Sequence, residues 1–185
     1  MLNRILLVEL MQKKITHLAR RVLLLIALII IVACPCFSQN QKKDDKYWAL
    51  SKKYCNARFG FCVRYPASLM KDTAPENGDG QRFDNGNSLV MTASGINNVS
   101  HDTLKSEMRS ARDQFDRITY RAQGSNWFVL SGIKDDKVIY LKTFVGPGSV
   151  NHMVIESSVH LKDLYRTVTA NIARSFRPGQ LSVSH

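Results

Sequence analysis

The stretch from Asn126 to Val145, NWFVLSGIKDDKVIYLKTFV, limits the possible folds more than any other. Two runs rich in Trp, Phe, Val, Ile and Tyr flank Lys134-Asp135-Asp136-Lys137. β-Branched and aromatic residues on both sides of a polar break are the pattern of two strands joined by a turn. Taking Asp135 and Asp136 as the loop sets Ile133 opposite Val138, Gly132 opposite Ile139 and Leu130 opposite Leu141. Side chains alternate along a strand. One face then carries Phe128, Leu130, Ile139, Leu141 and Val145. The other carries Trp127, Val129, Ile133, Val138, Tyr140 and Phe144, interrupted by Ser131 and Lys142. Asp-Asp is not a favoured hairpin dipeptide; a longer loop would shift the cross-strand pairs but leave each strand apolar on both faces. A sheet with one wet face shows a cleaner apolar-polar alternation. This hairpin therefore needs cover on both sides, which places it at the centre of a sheet.

Two segments have the period to supply that cover. His101 to Phe115 puts Leu104, Met108, Ala111 and Phe115 on one helical stripe, with Ser100 or Asp102 placed to cap its start. Leu161 to Phe176 puts Leu161, Leu164, Val168, Ile172 and Phe176 on another, and Pro178 and Gly179 end it. Further strands read from the remaining apolar runs. Phe59, Phe61, Val63 and Tyr65 alternate with polar or small residues up to Pro66. Gln81 to Asp84 and Ser88 to Ser94 flank the turn Asp84-Asn85-Gly86-Asn87. Ile118, Tyr120 and Ala122 alternate with Arg117, Thr119 and Arg121 as a strand with one solvated face, nearer an edge; Val150 to Val159 is the last strand. The order is strands, helix, strands, helix. That predicts α+β architecture: a single antiparallel β-sheet flanked by two amphipathic helices.

The N-terminal part reads as an export segment. Val22 to Ala33, VLLLIALIIIVA, follows Lys13, Lys14, Arg20 and Arg21. The run is short of the ~20 apolar residues of a membrane-spanning helix. A basic flank, a short apolar core and small residues after it are the parts of a secretory signal. Either Met1 or Met11 serves as the start. Two processing routes compete: cleavage after Ser38, or lipidation at Cys34 within Ile31-Val32-Ala33-Cys34, which resembles a bacterial lipobox. Lipidation would leave Cys36, Cys55 and Cys62, an odd number in an oxidising compartment. The expected division is a signal segment at 1–38, a polar linker at 39–53, a domain at 54–178 and a flexible tail at 179–185.

Cys55 and Cys62 flank the turn into the Phe59–Tyr65 strand. An exported domain gives them an oxidising compartment in which to pair, and such a bridge would stabilise the fold by about 2–3 kcal/mol. Beyond Ser38 the chain holds 21 Lys and Arg against 14 Asp and Glu, a net +7. These charges are scattered, without a run of five or more of one sign. They suit a solvated basic surface, or one that attracts anionic lipid, glycan or an acidic protein.

Motifs for chemistry are lacking. His101, His152, His160 and His185 form no HExxH and no Cys/His metal pair. His152 shares a strand face with Val154, which suits a core or rim position. Ser131 precedes Gly132 outside any GxSxG elbow, and Gly132 reads as packing room beside Ile139. Glu76, Asn77, Asp79, Asp84, Asn85 and Asn87 supply oxygens but not in a calcium-loop spacing, and tight turns account for them. Arg58, Arg64, Arg117 and Arg121 could gather on a sheet edge, yet export argues against nucleic acid as a client. No cofactor, catalytic residue or metal site is expected.

The segments NARFGFCVRYPASL, ENGDGQRF, NWFVLSG, KVIYLKTFV and VTANIARSFRP resemble a group of exported bacterial proteins. That group is similar to the PsbP-like α/β/α sandwich, and the likeness runs from about Tyr54 to Pro178. The wider fold includes an extrinsic photosystem II subunit and a Ran-binding protein, so the resemblance implies a docking module. It shares no catalytic motif, so no functional residue carries over. The expectation is an exported, non-catalytic binding or accessory module of the bacterial cell envelope with a protein partner there. The alternatives are an anionic lipid or glycan binder and an envelope hydrolase with an unrecognised site. Its only membrane attachment would be the signal segment or a lipid on Cys34.

Overall fold

The computed structural model describes residues 48–86 and 88–185. The expected signal segment with Cys34, most of the linker, and Asn87 lie outside the described residues. Among those described, no helix is long and apolar enough to cross a membrane.

The hairpin forms as its sequence dictates. Strands β7 (Trp127–Lys134) and β8 (Lys137–Val145) are antiparallel, with Ile133 opposite Val138, Gly132 opposite Ile139 and Leu130 opposite Leu141. Asp135 and Asp136 make the two-residue turn with φ of 45° and 59°. Both sit in the left-handed region that a two-residue hairpin with the right twist requires. Asp tolerates that region better than most side chains, so the unfavoured dipeptide still sets the short loop. The Asp135 amide also donates to the Asp116 carboxylate at 3.1 Å.

The hairpin is not the centre of the sheet, however. Counting β1 (Lys52–Cys55), β2 (Cys62–Tyr65), β3 (Met70–Lys71), β4 (Gly80–Asp84), β5 (Leu89–Asn97), β6 (Arg117–Gln123) and β9 (Ser149–Ser158), the strand order of the main sheet is β3-β4-β5-β9-β8-β7-β6. All its pairs are antiparallel. The central strand is β9, buried throughout Ser149–Asn151 and alternating from there to Ser158. β7 lies one strand from the edge.

The helices α1 (Leu104–Ala111) and α2 (Lys162–Ser175) cover opposite faces. On one face Leu104, Met108, Ala111 and Phe115 pack on Phe128, Leu130, Leu141, Val145 and Val150. The cap is Thr103, whose hydroxyl accepts from the Ser106 amide in a capping box. Asn98 ties down the lead-in to the helix, accepting from the Asp102 amide at 2.7 Å and donating to Gly146 O at 2.8 Å. On the other face α2 lies beside the β1–β2 hairpin over the larger core. Rings from four places meet there: Phe61 and Phe144 flank Phe176 at 5.9 and 5.7 Å, and Tyr65 lies 4.5 Å from Phe83. Each fully buried aromatic contributes roughly 2–3 kcal/mol by leaving water.

Two expectations fail on α2 and the C-terminus. Leu164 is about half exposed (51%), while Tyr165 is buried at 3%. The inward stripe runs Leu161, Tyr165, Val168, Ile172, Phe176, because Tyr165 is sandwiched between the core and Trp48, 5.4 Å away edge-on. The tail at 179–185 is docked rather than flexible. The Gly179 amide donates to Asn151 Oδ1, the Gly148 and Ser149 amides donate to Leu181 O, and the His185 ring packs on Phe59. A Cβ on Gly179 would stand 1.8 Å from Phe59 O, so only glycine permits this close return of the chain. At the other end the boundary falls inside the expected linker, since Lys52 and Lys53 already pair in β1.

Candidate functional site

The face of β6, β7 and β8 on the α2 side is only partly covered. α2 lies against β2, β8 and β9. The same face of β6 and β7 has no helix over it among the described residues. The result is a groove of about 430 Å³ with α2 as its wall, within the usual range for ligand sites. Its floor is Tyr120 and Ala122 from β6, Trp127, Val129 and Ser131 from β7, and Val138, Tyr140 and Lys142 from β8. Its wall is Lys162, Arg166, Thr169, Ala170, Ala173 and Arg174.

A break in β6 makes part of that floor. Ile118 pairs with Gly132, but Tyr120 pairs with Ser131, leaving Thr119 as a bulge. Two residues that a regular strand would put on one face are thereby split. Ile118 packs toward α1, whereas Tyr120 and Ala122 turn into the groove. The single solvated face expected for this strand is therefore not observed.

The charges are of one sign. Lys142, Lys162, Arg166 and Arg174 line the groove, and no carboxylate does. Lys142 is the most constrained. Its ammonium donates to Ala173 O at 2.9 Å and lies 5.1 Å over the Phe144 ring. Burial, with a lesser push from Arg177, lowers its pKa below the ordinary lysine value. Part of its role is structural, since Ala173 O is one of the carbonyls left open at the end of α2. An ammonium has three donors, and no carboxylate among the described residues pairs with this one. A half-buried cation without a counter-charge favours an anion beside it.

Ser131, Tyr140 and Lys142 share the floor, which raises the question of catalysis. The Ser131 hydroxyl donates to Ile139 O at 3.0 Å. Burial, followed by the neighbouring Tyr120, pushes the Tyr140 phenol up. A nucleophile or base at neutral pH needs the opposite perturbation for Tyr; Lys142 is shifted toward the free amine, but its nitrogen is engaged at Ala173 O. The groove holds hydroxyls and cations that can bind and orient an anion.

The residues singled out from sequence fall elsewhere. Cys55 and Cys62 form a disulfide directly across the β1–β2 pair. Asn56 organises the turn between them, its side chain accepting from the Phe59 amide at 2.7 Å. His152 is mostly buried on the α1 face, with Nδ1 3.1 Å from Thr143 Oγ1, and burial drives its pKa down to about 4. Asp79 pairs with Arg58 at 2.6 Å, and Asp84 pairs with Arg82 at 2.8 Å. Among the described residues no three His, Cys, Asp or Glu gather as metal ligands. The four arginines do not form one cluster. Arg58 is held by Asp79 before β4, Arg64 donates to Leu50 O, and Arg117 and Arg121 lie on β6 at the opposite edge. The groove was not foreseen. Its only trace in the sequence is the pair Ser131 and Lys142 interrupting an apolar face.

Among solved structures the chain is similar to cyanobacterial PsbP (CyanoP) from Synechocystis sp. PCC 6803. The TM-score is 0.50 at 12% identity, over 69% of this chain and 91% of that one. A crystallised protein of Bacteroides thetaiotaomicron VPI-5482 gives a TM-score of 0.49 at 13% identity over 71% of this chain, which spans 49% of the other. The Saccharomyces cerevisiae Ran-binding protein Mog1p gives 0.47 at 8% identity, over 71% and 95%. No protein-family model matches, and no curated protein matches. At this identity the likeness to CyanoP shows the fold, the α+β sandwich expected from the sequence, and fold alone does not carry function.

Proposed function

We propose that this chain is an exported, non-catalytic binding module of the bacterial cell envelope, and that it holds an anionic, apolar-faced ligand in the groove beside α2. The observation that carries the reading is the groove's composition: an apolar and aromatic floor, four cations and no carboxylate. The Cys55–Cys62 disulfide supports a compartment outside the reducing cytoplasm. The apolar run at 22–33 behind four basic residues supports export.

The test is affinity capture from envelope extract using the tagged chain as its own host produces it, beside an Arg166→Glu variant. Arg166 is exposed on the wall, so the reversal should leave the thermal melt unchanged. The expected result is a ligand held near unit stoichiometry by the native chain, weakened at higher salt and lost by the variant. Retention that ignores both salt and the variant would refute the groove as the site.

A further inference from the structure

The dimensions of the groove, and not only its charge, specify an occupant. From β8 to the free edge at β6 spans two strand spacings, about 10 Å. An α-helix with its side chains is about that wide. α2 already occupies β8 and β9 on this face, so the uncovered strip is one helix wide and runs beside a helix. The flank of α2 that faces it has small residues in the middle, Thr169, Ala170 and Ala173. Small side chains at a contact let two helix axes approach to about 8 Å. The cations stand at the two ends of this flank: Lys162 and Arg166 at one, Arg174 with Lys142 below it at the other. Arg174 lies twelve positions beyond Lys162 on α2, roughly 18 Å at the helical rise.

We propose that the occupant is an amphipathic α-helix of a protein partner, about three turns long. It lies alongside α2 on β6 and β7, with acidic side chains near both of its ends. The inference rests on the groove being the binding site. Its apolar stripe would seat on Tyr120, Ala122, Trp127 and Val129. Tyr120 is 55% exposed and Trp127 half-buried, and such aromatics are the side chains that anchor protein interfaces. Acidic residues at the ends would meet Lys162, with Arg166 one turn further in, and Arg174, about three turns from Lys162. A single anionic headgroup cannot engage both ends. An acyl chain would lie half in water, because the groove is open along the β6 edge. A glycan would set hydroxyls against Ala122, Val129, Val138 and Ala170. A second copy of this chain is disfavoured by its net positive charge beyond Ser38.

The experiment is site-specific photocrosslinking in the host. A compact diazirine amino acid, about the size of leucine, replaces Thr169 on the groove wall of the full-length chain, and in a second strain Val99, which is 77% exposed before α1 on the other side of the fold. Adducts are purified and the crosslinked species identified by mass spectrometry. The expected result is a protein adduct at 169 and not at 99, mapping to an acidic amphipathic segment. Its yield should fall at least several-fold in a Lys162→Glu, Arg166→Glu background. Adducts at 169 made only of lipid or glycan would overturn the helix while leaving the groove as the site. No adduct at 169, whether or not position 99 crosslinks, would overturn both, and so would a protein adduct whose yield ignores the charge reversal.

Discussion

His152 makes the fold acid-sensitive, because its burial lowers the pKa of the ring. The ring lies on central strand β9, opposite Thr143 on one side and Ser94 on the other. Burial lowers its pKa from 6.5 to about 4. Above pH 6.5 the imidazole is neutral folded or unfolded, and it costs nothing. As pH falls below 6.5 the unfolded chain takes up a proton that the folded chain refuses, so stability drops. The slope is about 1.4 kcal/mol per pH unit, until the folded ring also protonates near pH 4. The full loss is roughly 3 kcal/mol, of which about 2 kcal/mol has accumulated by pH 5. Carboxylates titrate in the same range, so the assay must be a difference. Urea unfolding of the native chain and of His152→Gln is followed from about pH 7.5 to 5. The native chain's stability relative to the variant should fall by about 2 kcal/mol over that range. Parallel pH profiles would refute the reasoning, as would an NMR titration of the His152 ring in the native chain with a midpoint near 6.5.

Three further outcomes follow from packing. Replacing Cys55 and Cys62 by serine opens a loop with a sequence separation of 7. The loop-entropy cost is about 2.5 kcal/mol, a fall of about 10 °C in Tm for a domain of this size, measured by calorimetry without reductant. Gly132→Ala would set a Cβ 2.2 Å from Arg117 O and 2.8 Å from the Phe115 ring. It should cost at least 1–3 kcal/mol by overpacking, read by denaturant midpoint. Leu164→Lys should change stability by less than about 0.5 kcal/mol, whereas Tyr165→Ala should cost about 3 kcal/mol or more; the reverse order would restore the stripe read from sequence.

The sequence disclosed most where a single period governs. The β7–β8 register followed from alternation about one turn, and the α1 stripe from spacing alone. What it withheld depends on contacts between distant segments. Nothing near Leu164 and Tyr165 says which faces inward, because the partners of Tyr165 include the distant core and Trp48, more than a hundred residues away. The docked tail depends on Asn151 and on the Phe59 backbone that Gly179 meets. Gly132 was read as making room in its own hairpin, but the room is filled by Arg117 and Phe115. The groove was invisible for the same reason: apolar residues on both hairpin faces required cover, yet gave no sign that one cover would be narrower than the strands beneath it.

The bulge at Thr119 ties that groove to the free edge of the sheet. Among the described residues no strand pairs with the outer side of β6, and a flat edge of this kind invites pairing with another chain. Bulges, with Arg117 and Arg121 along the strand, are the usual protection. The same inserted residue lets Ile118 serve the α1 core while Tyr120 and Ala122 serve the groove. The two effects are separable. Deleting Thr119 would let Ile118 opposite Gly132 be followed directly by Tyr120 opposite Ser131, an uninterrupted ladder with both side chains on their present faces. The expected outcome is a folded chain with an unchanged groove floor and a flatter edge. It should self-associate at concentrations where the native chain does not, as measured by sedimentation velocity. If the deletion instead removes Tyr120 from the groove, seen as loss of crosslinking from position 169, the bulge sets the floor by its geometry and not merely by its count.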